Sequence, residues 1–317
     1  MSGARSTGAR PTHAARGARA APAHRAKASG ALVALALGVG SSACVGVPSP
    51  LAPGLRGSVG VPHHGVLTDG VALPQKGDGF VRLRTDDVKW GNPRLVRLLT
   101  HAASTVKRAR GGPPLVIADL AKRGGGKTPH HRSHRSGRDV DLLLFALTPQ
   151  GVPQKSPGFV RFGADGLGKA DGRWVRFDVP RTWALVKALL VAPEGHVQWI
   201  FVARWLEALV IEYASARGED EELVWMAESV LLQPGDSAPH DDHLHLRIAC
   251  TPEEAVAGCE GGGPYWPWLP PVPRLGALRD ADLADLPPLL LAGATRPAPL
   301  SLGPAPTSFV HAWLAAR

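Results

Sequence analysis

Apolar positions recur along this chain with two periods, and each change of period marks an element. Leu95, Leu98, Leu99, Ala102 and Val106 repeat every three or four residues, which predicts an amphipathic helix. Asn92 before Pro93 gives it a side-chain cap with proline at the first helical position, and residues 108–111 end it. A second stripe of Trp183, Val186, Leu189 and Leu190 follows a cap at Asp178 with Pro180 near the first turn. The third, Trp205, Leu206, Leu209, Val210 and Tyr213, stops at Gly218, and its aromatic residues read as core. Residues 115–120, 139–147, 197–202 and 243–249 read as strands. Residues 159–162 and 174–179 read as the arms of a hairpin looping through 164–172, and the acidic stretch 218–222 reads as a solvated loop. Strict alternation is cleanest in the last strand. There His243, His245 and Arg247 share one face, and Leu244 and Leu246 share the other. Asp139 and Asp141 likewise share one side of their strand.

The two ends differ from this body. Arg5, Arg10, Arg16, Arg19, Arg25 and Lys27 precede a short apolar run at 31–40 and then Ser41, Ser42, Ala43 and Cys44. A basic segment, a short apolar segment and small residues together predict an export signal over 1–44. The run is too short to span a bilayer. Cys44 after small residues suits lipid attachment, although Ser41 departs from the usual leucine, and ordinary cleavage nearby is the competitor. Residues 45–57 read as a Pro/Gly-rich linker, 58–274 as one domain, and 275–317 as a Pro/Ala/Leu-rich tail.

Charge and cysteine content sharpen this picture. The 317 residues carry a formal charge of +9, and removing the six leader cations leaves +3. The high pI is therefore weak evidence for nucleic-acid binding, and no nucleic-acid partner is expected. A mildly basic body suits an anionic polymer such as a cell wall. With Cys44 lipidated or removed, Cys250 and Cys259 remain as a pair, expected to close a short disulfide loop in an oxidising compartment.

Six of the thirteen histidines lie in two windows, 130–134 and 240–245. Structural histidines scatter, whereas metal sites gather them. A hydrolytic zinc centre needs three protein ligands and a fourth position open to water. His134, Asp141 and His245 supply such a set, without a helical His-Glu-x-x-His motif. His243 shares the strand face of His245 and can reach the bound water or a developing oxyanion. His240 and His131 line the same pocket, where each could orient a ligand or contact substrate.

His131-x-x-His134-x-x-Gly137-x-Asp139-Val140-Asp141, with His240-x-x-His243-x-His245-x-Arg247, resembles the penicillin-insensitive murein endopeptidase family. That family belongs to a larger group of lysostaphin-type and D-Ala-D-Ala-type zinc peptidases. The resemblance covers roughly 58–270 and includes Asp119 before the glycines at 124–126. It implies an α+β fold with a small antiparallel sheet, flanking helices, long loops and the zinc site on the sheet face. It implies one zinc held by His134, Asp141 and His245, with His243 and His240 catalytic. His131, Asp139, Asp242 and Arg247 would then serve as substrate-contacting or supporting residues. It also implies cleavage of D-alanyl–diaminopimelate cross-links in the periplasm or outside the cell. Penicillin would not inhibit, since a metal-activated water leaves no serine to acylate. Asp242, three residues before His245, stands where some relatives place a catalytic glutamate, so it is either an assisting group or part of a polar turn. A carboxypeptidase of the same group and an inactive wall-binding relative are the alternatives.

Overall fold

The computed structural model describes residues 57–272 apart from 129, 130, 236 and 262. The leader with Cys44, the linker up to residue 56, His130 and the tail lie outside the described residues. Gly57, placed in the linker by the sequence reading, opens the first strand.

In chain order the strands before the first helix are β1 (Gly57–Val59), β2 (Val66–Thr68), β3 (Val71–Ala72), β4 (Lys76–Gly77), β5 (Phe80–Arg82) and β6 (Trp90–Gly91). Helix α1 (Pro93–Arg110) leads to β7 (Leu115–Ile117), β8 (Asp139–Leu143), β9 (Ala146–Leu147), β10 (Pro153–Gln154), β11 (Leu167–Ala170) and β12 (Arg173–Phe177). Then come α2 (Val179–Val191), β13 (Val197–Phe201), α3 (Arg204–Ala216), α4 (Glu221–Val230), β14 (Leu231–Leu232), β15 (His243–Ile248) and α5 (Pro252–Val256).

The architecture is α+β, as expected. Its main sheet has seven strands in the order β14-β13-β15-β8-β7-β5-β4. The centre is antiparallel, while β13–β14 and β5–β7 pair in parallel. One face is the core. Leu244, Leu246, Ile248, Val140, Leu142 and Ile200 are buried there with Leu95, Leu99, Trp183, Leu189, Leu206 and Ala227 of the helices. Alternation turns His243, His245, Arg247, Asp139 and Asp141 to the other face.

The caps match the sequence reading. Asn92 Oδ1 accepts from Arg94 N at 2.9 Å, and Asp178 Oδ1 accepts from Arg181 N at 3.1 Å. Glu254 ties α5 to the start of α1. It accepts from Arg94 Nη2 at 2.6 Å and Asn92 Nδ2 at 2.7 Å. The expected disulfide is present, closing Cys250 to Cys259 with Cα atoms 5.9 Å apart.

Three expectations need correction. The hairpin pairs β11 with β12, not 159–162 with 174–179. Its two-residue turn is Asp171-Gly172, with φ of 48° and 78°, the left-handed pair that a tight turn requires. Residues 139–147 form two strands, since β9 leaves β8 to pair with β12 and β10 in a four-stranded sheet. The acidic stretch is not a free loop but the start of α4. Asp220 Oδ1 accepts from Leu223 N at 3.1 Å, and Glu221 and Glu222 occupy the first turn, where the helix dipole favours anions. Among the described residues no helix is long and apolar enough to cross a membrane.

Candidate metal centre

The register of β8 against β15 builds this site. His245 pairs with Asp141, and Arg247 pairs with Asp139, so groups about a hundred residues apart become neighbours on one sheet face. His134 arrives from the loop before β8. It is fully buried and has φ of 63°, a backbone region rare for a side chain of its size and often found where function fixes geometry.

His134 Nε2 lies 3.3 Å from Asp141 Oδ1, and His245 Nδ1 lies 3.2 Å from the same oxygen. The two imidazole nitrogens are 3.4 Å apart. Ligand atoms about 2.0–2.2 Å from a tetrahedral zinc are separated by about 3.3–3.6 Å, so this triangle has nearly the dimensions of one face.

The partners of the other ring nitrogens decide where the protons sit. His134 Nδ1 faces the Leu120 carbonyl at 3.1 Å and must donate to it. His245 Nε2 donates to Asp139 Oδ1 at 2.8 Å, and the same oxygen accepts from Arg247 Nε at 2.7 Å. In the neutral rings, His134 Nε2 and His245 Nδ1 are therefore bare lone pairs. They face a carboxylate that is 1% exposed and whose two oxygens accept no hydrogen bond. Two bare nitrogens and a carboxylate buried together favour a shared cation, either a proton on one ring or a metal ion. The residues fit a divalent metal with nitrogen and oxygen ligands.

The electrostatics agree. Burial pushes the Asp141 carboxyl up, but the imidazoles of His134, His245 and His243 outweigh it and hold the group well below 3.8. Burial pulls His245 down, but its hydrogen bond to Asp139 and the nearby Asp141 carboxylate outweigh that and raise it. A field that draws a proton onto His245 also draws a metal ion. Asp139 is held low in the same way, with burial opposed by Arg247 and His245.

Other histidines surround this triangle. His243 Nε2 lies 3.5 Å from Asp141 Oδ1, and its Nδ1 donates to Asp242 Oδ1 at 2.5 Å. His131 Nδ1 is 3.6 Å from Asp141 Oδ2, and its Nε2 donates to Asp119 Oδ2 at 2.8 Å. The His240 ring packs 5.0 Å from that of His243 and 5.7 Å from that of His245. Burial first, then His243 and His245, push His240 down to about 4, so its ring is neutral. His240, His243 and His245 form a second group whose donor atoms lie within 4.8 Å of one another, as do His131, His134 and Asp141. The triangle of His134, Asp141 and His245 bridges the two groups. It is the tightest of the three sets, because its edges are shorter and all three residues are buried.

Asp141, His131, His240, His243 and His245 border one cleft of about 830 Å³, which Arg84, Arg132, Arg135, Phe159, Arg161 and Phe201 also line, while His134 is fully buried. The sequence reading missed several of them. Phe159 meets the His243 ring edge-on at 5.5 Å and lies under the Arg84 guanidinium at 5.8 Å. Arg84 in turn pairs with Asp119. Asp119 entered the sequence reading only as part of a motif, and nothing local marks it as the partner of His131.

The sequence profile of the penicillin-insensitive murein endopeptidases matches residues 58–265, nearly all of the described chain and every donor above. The chain belongs to that family. A penicillin-insensitive murein endopeptidase of Haemophilus influenzae is 26% identical over 222 residues, covering 68% of this chain and 71% of the relative. One from Klebsiella pneumoniae is 29% identical over 230 residues, covering 69% and 77%. One from Salmonella heidelberg is 28% identical over 204 residues, covering 62% and 68%. Members of this family are peptidases, and the cleft offers the acid–base and metal-ligating groups that peptide hydrolysis needs.

Proposed function

We propose that the chain is a zinc-dependent endopeptidase that cuts murein peptide cross-links at the D-alanyl–diaminopimelate bond. Murein endopeptidase activity follows from family membership. One observation carries the zinc assignment. The buried donor atoms of His134, Asp141 and His245 face one another at 3.2–3.4 Å, the spacing that the ligands of one tetrahedral zinc would have. A zinc ion supplies a Lewis acid for the scissile carbonyl and lowers the pKa of its water to about 7.

The protein's own groups do the rest. Asp139 and the Leu120 carbonyl hold the protons of His245 and His134 on the nitrogens facing away from Asp141, which keeps both rings in ligating orientation. His243 is the proposed general base. Asp242 holds its proton on Nδ1, which leaves Nε2 free toward the centre of the cleft. That contact makes Asp242 an orienting partner for His243. His240, kept neutral, can meet developing negative charge as a hydrogen-bond donor.

Action outside the cytoplasm, in the periplasm or beyond, belongs to the same proposal. The Cys250–Cys259 disulfide and the murein substrate support it. Cys44, the candidate lipid anchor, lies outside the described residues.

The test is digestion of purified cross-linked muropeptides with mass analysis. Dimers should become monomers, chelator should stop the reaction, and His245→Ala should abolish it along with the bound zinc. His243→Ala should keep zinc and lose about 10²–10⁴ in kcat. Release of a terminal residue alone would identify a carboxypeptidase, and intact dimers an inactive binder.

A further inference from the structure

The loop that carries His131 and His134 also carries three arginines at a spacing of three: Arg132, Arg135 and Arg138. They have different surroundings. Arg138 is fully buried and donates to the carbonyls of Ile248 and Glu260, so the fold consumes it. Arg132 and Arg135 line the cleft.

Every other arginine of the cleft already faces an acid. Arg84 pairs with Asp119, Arg161 lies 3.8 Å from Asp241, and Arg247 lies 2.7 Å from Asp139. Among the described residues Arg132 and Arg135 pair with no carboxylate, and Arg135 Nε is buried without any partner. Arg132 is exposed and Arg135 half-buried on the cleft wall, so both guanidinium groups are open to a negative group that arrives with the substrate. Guanidinium groups suit a carboxylate, which they bind through paired N–H donors.

We propose that Arg132 and Arg135 bind a free carboxylate of the substrate adjacent to the scissile amide. This deepens the murein reading and rests on it. In diaminopimelate the carbon bearing the cross-link nitrogen carries its own carboxylate, so that anion lies next to the bond being cut. It must therefore fall close to the loop that supplies His134. The pair makes the cleft selective for cross-links in which this carboxylate is free, and amidation removes the charge it reads.

The experiment compares two cross-linked muropeptide dimers, one with the diaminopimelate carboxylate free and one with it amidated. Binding of each to the chelator-treated full chain is measured by calorimetry. The free acid should bind about ten- to a hundred-fold more tightly, the range expected for charge-assisted hydrogen bonds. The double variant R132Q/R135Q should lose that preference while keeping its zinc stoichiometry and Tm. Equal binding of both dimers by the parent chain, or a preference that survives in the double variant, overturns the proposal. Cleavage by the zinc-loaded chain is scored separately, so a failure of the endopeptidase reading is visible in turnover and a failure of the arginine pair in binding.

Discussion

Asp141→Asn isolates the charge at the centre of the site. The substitution keeps the shape of the side chain and removes its negative charge. In the metal-free chain the native carboxylate is 1% exposed and neither oxygen is hydrogen-bonded. Burial alone would make that charge costly by several kcal/mol, and the imidazoles of His134, His245 and His243 offset the cost. Asparagine instead brings an amide that can donate to His134 Nε2 or His245 Nδ1. Zinc reverses the balance. Free metal at about a thousand times its Kd adds about 4 kcal/mol to the native chain. For a domain of this size that is a Tm increase of about 8–16 °C. Asp141→Asn should lose nearly all of that increase.

The assay is thermal unfolding of both proteins with zinc and with chelator. The parent Tm should fall by about 8–16 °C in chelator. The variant Tm should hardly move between zinc and chelator. The contrast depends on pH with a fixed sign. His245 has a raised pKa in the metal-free fold, so its proton stabilises the parent fully below the unfolded value of about 6.5. That stabilisation is lost as pH rises through the folded value. The chelated parent should therefore weaken relative to the variant as pH climbs above neutral. A variant whose Tm rises with zinc as much as the parent's would refute the reasoning, because the carboxylate would then be no ligand. So would a parent Tm indifferent to chelator.

Three further outcomes follow from other contacts. Asp139→Asn removes the negative charge of the acceptor shared by His245 Nε2 and Arg247 Nε and should weaken zinc binding about 10–100-fold in a chelator competition titration; unchanged affinity counts against its orienting role. Glu254→Ala breaks a buried pair with Arg94, whose side chains are 10% and 13% exposed. It should cost about 3–5 kcal/mol in denaturant unfolding, and a loss below 1 kcal/mol contradicts the assigned role. His196, held low mainly by burial and then by Arg94, binds fewer protons folded than unfolded below pH 6.5, so stability falls as pH drops. His196→Asn, at a position with φ of 38° that asparagine tolerates, should lose less stability between pH 7.5 and 5 in urea titrations. An equal loss removes His196 as a source of acid sensitivity.

The legible parts of this chain are those whose signal is local. The stripes of α1, α2 and α3 lie within a few turns of sequence, and the cap residues Asn92 and Asp178 make their expected bonds. The gathering of His134, Asp141 and His245 at one place was legible because two histidine-rich windows and a strict two-residue alternation point to one sheet face. Helix α4 was lost because Asp220, Glu221 and Glu222 suggest solvent, although Asp220 is a good cap and Leu223, Ala227 and Val230 form a buried stripe behind it. The hairpin was misplaced although Asp171-Gly172 is a strong turn signal, because the apolar residues at 159–162 drew attention away from it. Two-residue strands such as β4 and β14 have no period to read. Partners such as Asp119 for His131 and the Leu120 carbonyl for His134 are set by tertiary approach, and nothing in their own neighbourhoods predicts them.

The core and the candidate site are alternate residues of the same strands, and this couples folding to chemistry. In β15 the residues Leu244, Leu246 and Ile248 are at most 2% exposed on the helix side. The residues between them carry the imidazoles and the guanidinium. A slip of one residue against β8 would turn three aliphatic side chains outward at about 1.5–3 kcal/mol each. It would also drive His243, His245 and Arg247 into an apolar layer. The packing of leucine and isoleucine on one face therefore fixes which residue opposes Asp141 on the other. The same register places Asp139 opposite Arg247 and within reach of His245 Nε2. Ligand, orienting carboxylate and the cation that anchors it are thus selected together by a hydrophobic pattern that none of them belongs to.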